Sequence, residues 1–203
     1  MISLLIATRN AHKTREIQEI LGNEFEVTDL SAYPEIPETI ESGKTFEENA
    51  ILKAVAVSKT HGGLAMADDS GLEVNALGGA PGIFSARYAG ESATDEENVA
   101  KLLRELTRAD AMRAPRGARF CCAIALAQNG QVLRTFQAVI EGTVIRQPRG
   151  KGGFGYDPIF LPNGFEKSFA ELPAETKNRI SHRAQALRQV KHYFSNALPR
   201  SER

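Results

Sequence analysis

No stretch of the 203-residue chain approaches the roughly 20 apolar residues needed to cross a bilayer. Net charge is absent too. Lys plus Arg and Asp plus Glu both number 25, so no long-range field draws the chain to a polyanion. Without a basic excess or a basic run, duplex binding loses its usual electrostatic footprint. These absences argue against membrane and nucleic-acid partners and leave a small anionic ligand held by a local cluster. The apolar start, Met1 to Ile6, lacks a basic leader and runs straight into Thr8-Arg9-Asn10. It reads as a buried strand, which makes a cytoplasmic location the expectation. The only two cysteines, Cys121 and Cys122, are adjacent, and strand alternation would point them to opposite faces. They are expected to be core thiols rather than a bridge. His12, His61, His182 and His192 show no zinc-type spacing among themselves or with the cysteines.

Two phosphate-loop patterns also fail on context. Gly150 to Gly155 fits G-x-G-x-x-G, but a strand follows instead of the helix that a dinucleotide fold requires. Gly43-Lys44-Thr45 resembles the end of a P-loop, yet Glu38 stands where its first glycine belongs.

What is present is an alternation of helices and strands. Ser3 to Ala7 reads as a strand, and Ala11 to Leu21 as a helix with Asn10 as N-cap and Gly22 as stop. Phe25 to Leu30 reads as a strand and Ser31 to Lys44 as a loop. Thr45 to Glu48 is a capping box opening a helix that Gly62-Gly63 ends. Leu64 to Ala67 is a short strand running into Asp68-Asp69-Ser70-Gly71, and Gly78 to Gly90 is an ordered loop. A second capping box, Thr94 to Glu97, opens a helix to about Leu106, followed by a polar connector over 107–116. Two strands, Phe120 to Ala127 and Val132 to Ile140, flank the hairpin signal Asn129-Gly130. After a glycine-rich loop, Gly150 to Tyr156, Ile159 to Leu161 reads as a strand. Ile180, Ala184, Leu187, Val190 and Phe194 mark a final amphipathic helix, with fraying beyond it. With no repeat or low-complexity linker, the expectation is one domain over residues 1–203, of α/β class on a mixed sheet.

Several clusters carry chemistry, and most also have a purely structural reading. The turn Ala7 to Lys13 delivers a strand to a helix N-terminus, where free N–H groups and Lys13 suit an anion. Its bland reading is an N-cap beside a solvated lysine. Asn49 and Lys53 share a helix face one turn apart. Asp68 and Asp69 are adjacent carboxylates whose repulsion a divalent cation would relieve, or else an acidic turn. Phe154-Gly155-Tyr156-Asp157 offers an aromatic that glycines let approach a base, or else core filler. Lys177-Asn178 and Ser181-His182-Arg183 gather cations, a histidine and a hydroxyl near the last helix, or else only its cap. Together they suggest a metal site, a phosphate site and a base platform.

At these residues the chain resembles the non-canonical purine nucleoside triphosphate pyrophosphatases, also called inosine/xanthosine triphosphate pyrophosphatases. The shared blocks are Ala-Thr-Arg-Asn-Ala-His-Lys at 7–13, the run from Glu41 to Ala54, Ala-Asp-Asp-Ser-Gly-Leu-Glu-Val at 67–74, Gly78 to Tyr88, Gly152 to Phe160, and Lys177 to Arg183. They follow the family order from Ile6 to Leu187. The resemblance implies an elongated mixed twisted sheet with flanking helices in two lobes, an active cleft between them, and a homodimer. It also implies Mg²⁺-dependent attack of water on the α-phosphate of ITP, dITP or XTP. Asp69 would match the general base and a metal ligand, with Glu41 as a further Mg²⁺ carboxylate and Asp68 close by. The segment Thr8, Arg9, Asn10, Ala11, His12 and Lys13, with Lys53, Ser70 and Lys177, would match the substrate contacts. Phe154, in the Gly155-Tyr156 loop, would match the base-stacking ring. Asp157, His182 and Arg183 would match the groups reading the purine edge. A Maf-type pyrophosphatase is the nearest alternative, but its arginine-rich opening is missing. A catalytically idle nucleotide sensor would lack Asp69, Glu41 or Lys53, and all three are present.

Overall fold

A computed structural model describes residues 1–110 and 115–197. Its single mixed sheet has six strands in the order β2-β1-β3-β4-β5-β6. The strands are β1 (Ile2–Ile6), β2 (Phe25–Asp29), β3 (Leu64–Val74), β4 (Gly117–Gln128), β5 (Gln131–Val144) and β6 (Phe160–Pro162). β1 lies parallel to β2 and β3, whereas the pairs from β3 to β6 are antiparallel. The helices are α1 (Ala11–Leu21), α2 (Phe46–His61), α3 (Asp95–Asp110), α4 (Ala174–Ile180) and α5 (His182–Ala197). Among the described residues no helix is long and apolar enough to cross a membrane.

Strand alternation distributes the core. Leu4, Ile6, Met66 and Ile124 meet Ile17 of α1 and Leu187 of α5 on one face. On the other face Ala65, Ala67, Ala123 and Ala125 meet Ala50, Ala54 and Val57 of α2. Alanines on both sides let that helix lie close to the sheet. Farther along the same strands, Leu72, Val74 and Phe120 pack with Leu102 of α3 and with Phe160 and Phe169. Each fully buried Leu or Ile contributes about 1.5–3 kcal/mol. The long strands β3 to β5 thus run from one packing region into another, which gives the two-lobed arrangement. Asp68 to Gly71 lie where β3 passes between them.

Several boundaries differ from the sequence reading. β3 does not end at Ala67. It pairs with β4 without interruption to Val74, so the acidic pair lies inside a strand rather than in a turn. The ladder uses backbone groups, and both carboxylates find side-chain partners, so their charge does not stop it. At Thr45 only half of the capping box forms. Its hydroxyl accepts the Glu48 N–H at 3.1 Å, but the Glu48 carboxylate takes the Lys44 N–H instead. At Thr94 the box is reciprocal. α3 continues past Leu106 to Asp110, and residues 111–114 of the connector lie outside the described residues. The hairpin turn has Asn129 and Gly130 at φ 52° and 79°, both positive as a type I′ turn requires. The strand read at Ile159 begins at Phe160, after a 3-10 turn over Asp157–Ile159. Ile180 does not belong to the last helix. It closes the separate short helix α4, and extended Ser181 divides the two, its hydroxyl accepting the Ala184 N–H at 3.1 Å. α5 continues past Phe194 to Ala197, and residues 198–203 lie outside the described residues.

Candidate active site

The β1–α1 turn forms as the sequence suggests. Asn10 Oδ1 accepts the N–H groups of His12 and Lys13 at 3.0 and 3.1 Å, and Thr8 Oγ accepts that of Asn10 at 3.1 Å. Lys13 Nζ does not reach into solvent. It lies 2.6 Å from Asp68 Oδ1. Arg9 Nη2 donates to the Ile36 carbonyl at 2.8 Å and ties down the loop before Glu41. Ala11 is exposed at the helix start.

On β3 the two acids part company. Asp69 faces α2, where Lys53 Nζ lies 2.8 Å from Oδ1 and Asn49 Nδ2 lies 3.3 Å from Oδ2. The same ammonium reaches Glu41 Oε1 at 2.8 Å, and Arg87 Nη1 reaches Glu41 Oε2 at 3.1 Å. Asp68 faces α1 and α5. Arg183 Nε lies 3.1 Å from its Oδ2, Ser70 donates to it at 2.7 Å, and the Cys122 thiol lies 3.1 Å away. Cys121 and Cys122 are free and buried, as expected, but Cys122 is more than filler because it lies against this carboxylate. The sequence reading of two neighbouring carboxylates relieved by one shared cation therefore needs correcting. Alternation turns them to opposite faces, and each already has its own cations.

Their electrostatics differ accordingly. Burial raises the Asp69 carboxyl above its ordinary range, and Lys53 only partly offsets it. Burial also acts to raise Asp68, but Arg183 and then Lys13 outweigh it and hold this carboxyl well below the ordinary range. For Glu41, Lys53 and Arg87 overcome burial and lower the value. Lys53 is raised, since Asp69 and Glu41 outweigh its desolvation.

Behind Asp68 runs a buried chain of alternating charges. Arg183 pairs with Glu16, Glu16 with Lys177 at 3.2 Å, and Lys177 with Asp157 at 2.6 Å. Arg183 is thus committed to three protein side chains, Asp68, Glu16 and Ser70. Asp157 Oδ2 also accepts the Phe154 N–H at 2.9 Å, which folds the glycine-rich loop around it. Gly153 is required there. Its φ is +71°, and an added Cβ would fall 2.0 Å from Asp157 Oδ2. The loop is held from two more sides. Asp95 accepts the Gly155 N–H at 2.6 Å, and the Tyr156 hydroxyl donates to the Ser85 carbonyl at 2.9 Å.

Phe154 is half-buried, with Lys177 Nζ 4.8 Å and the Arg183 guanidinium 5.6 Å from its ring centre. His12 stacks on it at 5.8 Å. His182 lies flat on Phe120 at 4.8 Å, and among the described residues its buried Nδ1 has no hydrogen-bond partner. Burial first, then Arg183, depresses this imidazole to about 3, so it is neutral.

Two cavities result. A polar cleft of about 500 Å³ is lined by Glu41, Lys53, Asp69 and Arg87 among others, and a smaller pocket is formed by Phe154, Lys177, His182 and Arg183. Asn10, Lys13 and Ser70 line both, so the two are continuous. Two participants escaped the sequence reading. Glu16 had a signal, since it lies three residues after Lys13 on one face of α1. Arg87 lies inside the shared block Gly78 to Tyr88, but no local pattern marked its role, because its partner Glu41 is 46 residues away.

Comparison with known proteins gives a consistent set of matches. The family model described as the Ham1 family matches residues 4–193. A dITP/XTP pyrophosphatase of Desulfotalea psychrophila is 48% identical over 93% of this chain and 83% of the relative. One from Geobacter sulfurreducens is 48% identical over 96% of this chain and 97% of its own length. The solved structure of a HAM1 protein from Coxiella burnetii superposes with a TM-score of 0.87 at 44% identity, covering 97% of this chain and 100% of that one.

Proposed function

The chain belongs to the Ham1 family, and from that premise we infer that it hydrolyses purine nucleoside triphosphates of the dITP, ITP and XTP type to the monophosphate and pyrophosphate. One observation carries this reading. An aromatic pocket opens through Asn10, Lys13 and Ser70 into a cleft holding Lys53, Glu41 and Asp69. A ligand with a flat ring at one end and a string of phosphates at the other matches that sequence of surfaces.

Asp69 is the general base. Its raised proton affinity, beside a lysine that fixes its orientation, suits proton abstraction. It takes the proton of a water whose oxygen bonds to the α-phosphorus, and the bond to the bridging oxygen of the β-phosphate breaks. Lys13 and Lys53 offset charge along the phosphates, and Phe154 stacks on the purine. His182, which lines the pocket, and the cationic groups around Phe154 meet the base edge. A 6-oxo group satisfies donors there, whereas adenine's amine leaves them unpaired.

Glu41 and Asp69 share one ammonium on the cleft wall, a donor set that suits a hard divalent ion. Among the described residues no group of three or more His, Cys, Asp or Glu side chains is placed to hold a metal ion. Asp68 is too committed to Arg183 and Lys13 to be a direct ligand, and its part is to anchor those cations. Bound there, Mg²⁺ would neutralise charge developing on the phosphates.

A pyrophosphate-release screen over common and deaminated triphosphates tests the reading. Turnover should favour dITP, ITP and XTP over ATP, vanish in chelator and return with Mg²⁺. Equal rates on all purines would remove the base-edge reading, and full turnover in excess chelator would remove the metal ligands.

A further inference from the structure

We propose that Arg87 is a phosphate-contacting residue that grips the terminal two phosphates, the part of the substrate that departs as pyrophosphate. This deepens the triphosphate reading above and rests on it. The two cavities share Asn10, Lys13, Ser70 and Ala86, whereas Arg87, Glu41 and Lys53 line the cleft alone. With the ring against Phe154, the α-phosphate falls at the shared residues, and the distal phosphates extend to the end where Arg87 stands.

The backbone holds Arg87 there by close packing. It ends the 3-10 segment Gly82–Arg87, which lies against β3 at Gly71. A Cβ at Gly71 would fall 2.5 Å from the Gly82 carbonyl oxygen, and Ser85 accepts the Leu72 N–H at 2.9 Å. The guanidinium also lies 5.5 Å over the Phe84 ring, so the side chain is supported without its acid partner.

Its charge is the least committed among the cleft's acid-paired cations. Lys13 is paired to buried Asp68, and Lys53 is shared by Asp69 and Glu41. Arg87 has Glu41 at 3.1 Å and, at 3.8 Å, Glu91, whose side chain is 88% exposed. Were Glu41 to hold a divalent ion, Arg87 would lack its closest acceptor. Two adjacent phosphates then offer the paired oxygens that a planar guanidinium fork matches. Donors fixed at that place also stabilise the charge that pyrophosphate acquires as it leaves.

Calorimetric titration with inorganic pyrophosphate and, separately, inosine monophosphate decides the matter, using wild type, Arg87→Ala and Arg87→Lys in Mg²⁺. Wild-type dITP turnover is measured alongside. Arg87→Ala should weaken pyrophosphate by about 10–100-fold, the usual cost of losing hydrogen bonds to a charged group, and leave the monophosphate unchanged. Arg87→Lys, which keeps the charge and loses the fork, should fall between, and it decides the question if the alanine variant does not fold. Unchanged pyrophosphate affinity overturns the proposal. So does a loss that disappears at saturating Mg²⁺, because Arg87 would then merely steady Glu41. Equal weakening of both ligands overturns it as well. If wild type ignores dITP but binds pyrophosphate through Arg87, the anion site stands and the substrate reading falls.

Discussion

Asp68 and Asp69 are neighbours in the chain and occupy opposite electrostatic worlds. Asp69 looks into a cleft where two carboxylates share one lysine, and burial leaves it short of compensation. Asp68 is buried against Lys13 and Arg183, which more than compensate it. The first arrangement is receptive, ready for a proton or a cation. The second is closed and holds the walls of both cavities in register. Removing one partner of such a buried pair leaves an uncompensated charge, so the closed region contributes rigidity and the receptive one reactivity.

The largest expected effect separates the two directly. Asp69→Asn should lower turnover by at least about 10²–10⁴-fold, the span for loss of a general base, with metal loss adding to it. Steady-state kinetics would check this, and a variant near wild-type rate would place the base elsewhere. Asp68→Asn should do the opposite kind of damage. Breaking a buried pair costs on the order of 3–5 kcal/mol, read as unfolding in urea. If the two variants lost equal stability, the contrast between the regions would collapse.

Phe154→Ala sharpens the comparison at the base pocket. The loss should be about 1–3 kcal/mol and fall on KM, because stacking acts alike on ground and transition states. A loss confined to kcat would mean the ring positions the phosphates instead.

The smallest effect is a slope. Folded His182 titrates near 3, against 6.5 ordinarily, so between those values the unfolded chain binds a proton that the folded chain refuses. Stability is therefore full above 6.5 and declines on acidification, by about 2 kcal/mol at pH 5. Asp68 and Glu16, both lowered, lose their contributions only as the pH falls through the carboxylate range, whereas Asp69 and Asp157, both raised, gain on acidification and oppose the decline. It is therefore the difference from a histidine variant that reports the imidazole. His182→Gln should flatten the decline between pH 6.5 and 5. An unaltered slope would show that the imidazole is not held neutral.

Much of this was legible in the chain itself. The first helix with its Asn10 cap, the Asn129-Gly130 hairpin and the reciprocal box at Thr94 depend on contacts within a few residues, so local chemistry determined them. The candidate residues at 8–13, 68–70, 154–157 and 177–183 also stood out, because their residue types are costly unless something is bound or paired. The tertiary structure alone decided how they pair. That β3 runs through the acidic pair follows from its ladder to β4, some 50 residues later in the chain, and the ladder is what sends Asp68 and Asp69 to opposite faces. Likewise, Arg183 meets Glu16 across 167 positions and Arg87 meets Glu41 across 46. No local pattern encodes such distances, because a charge's partner is whichever opposite charge the packed elements bring near it.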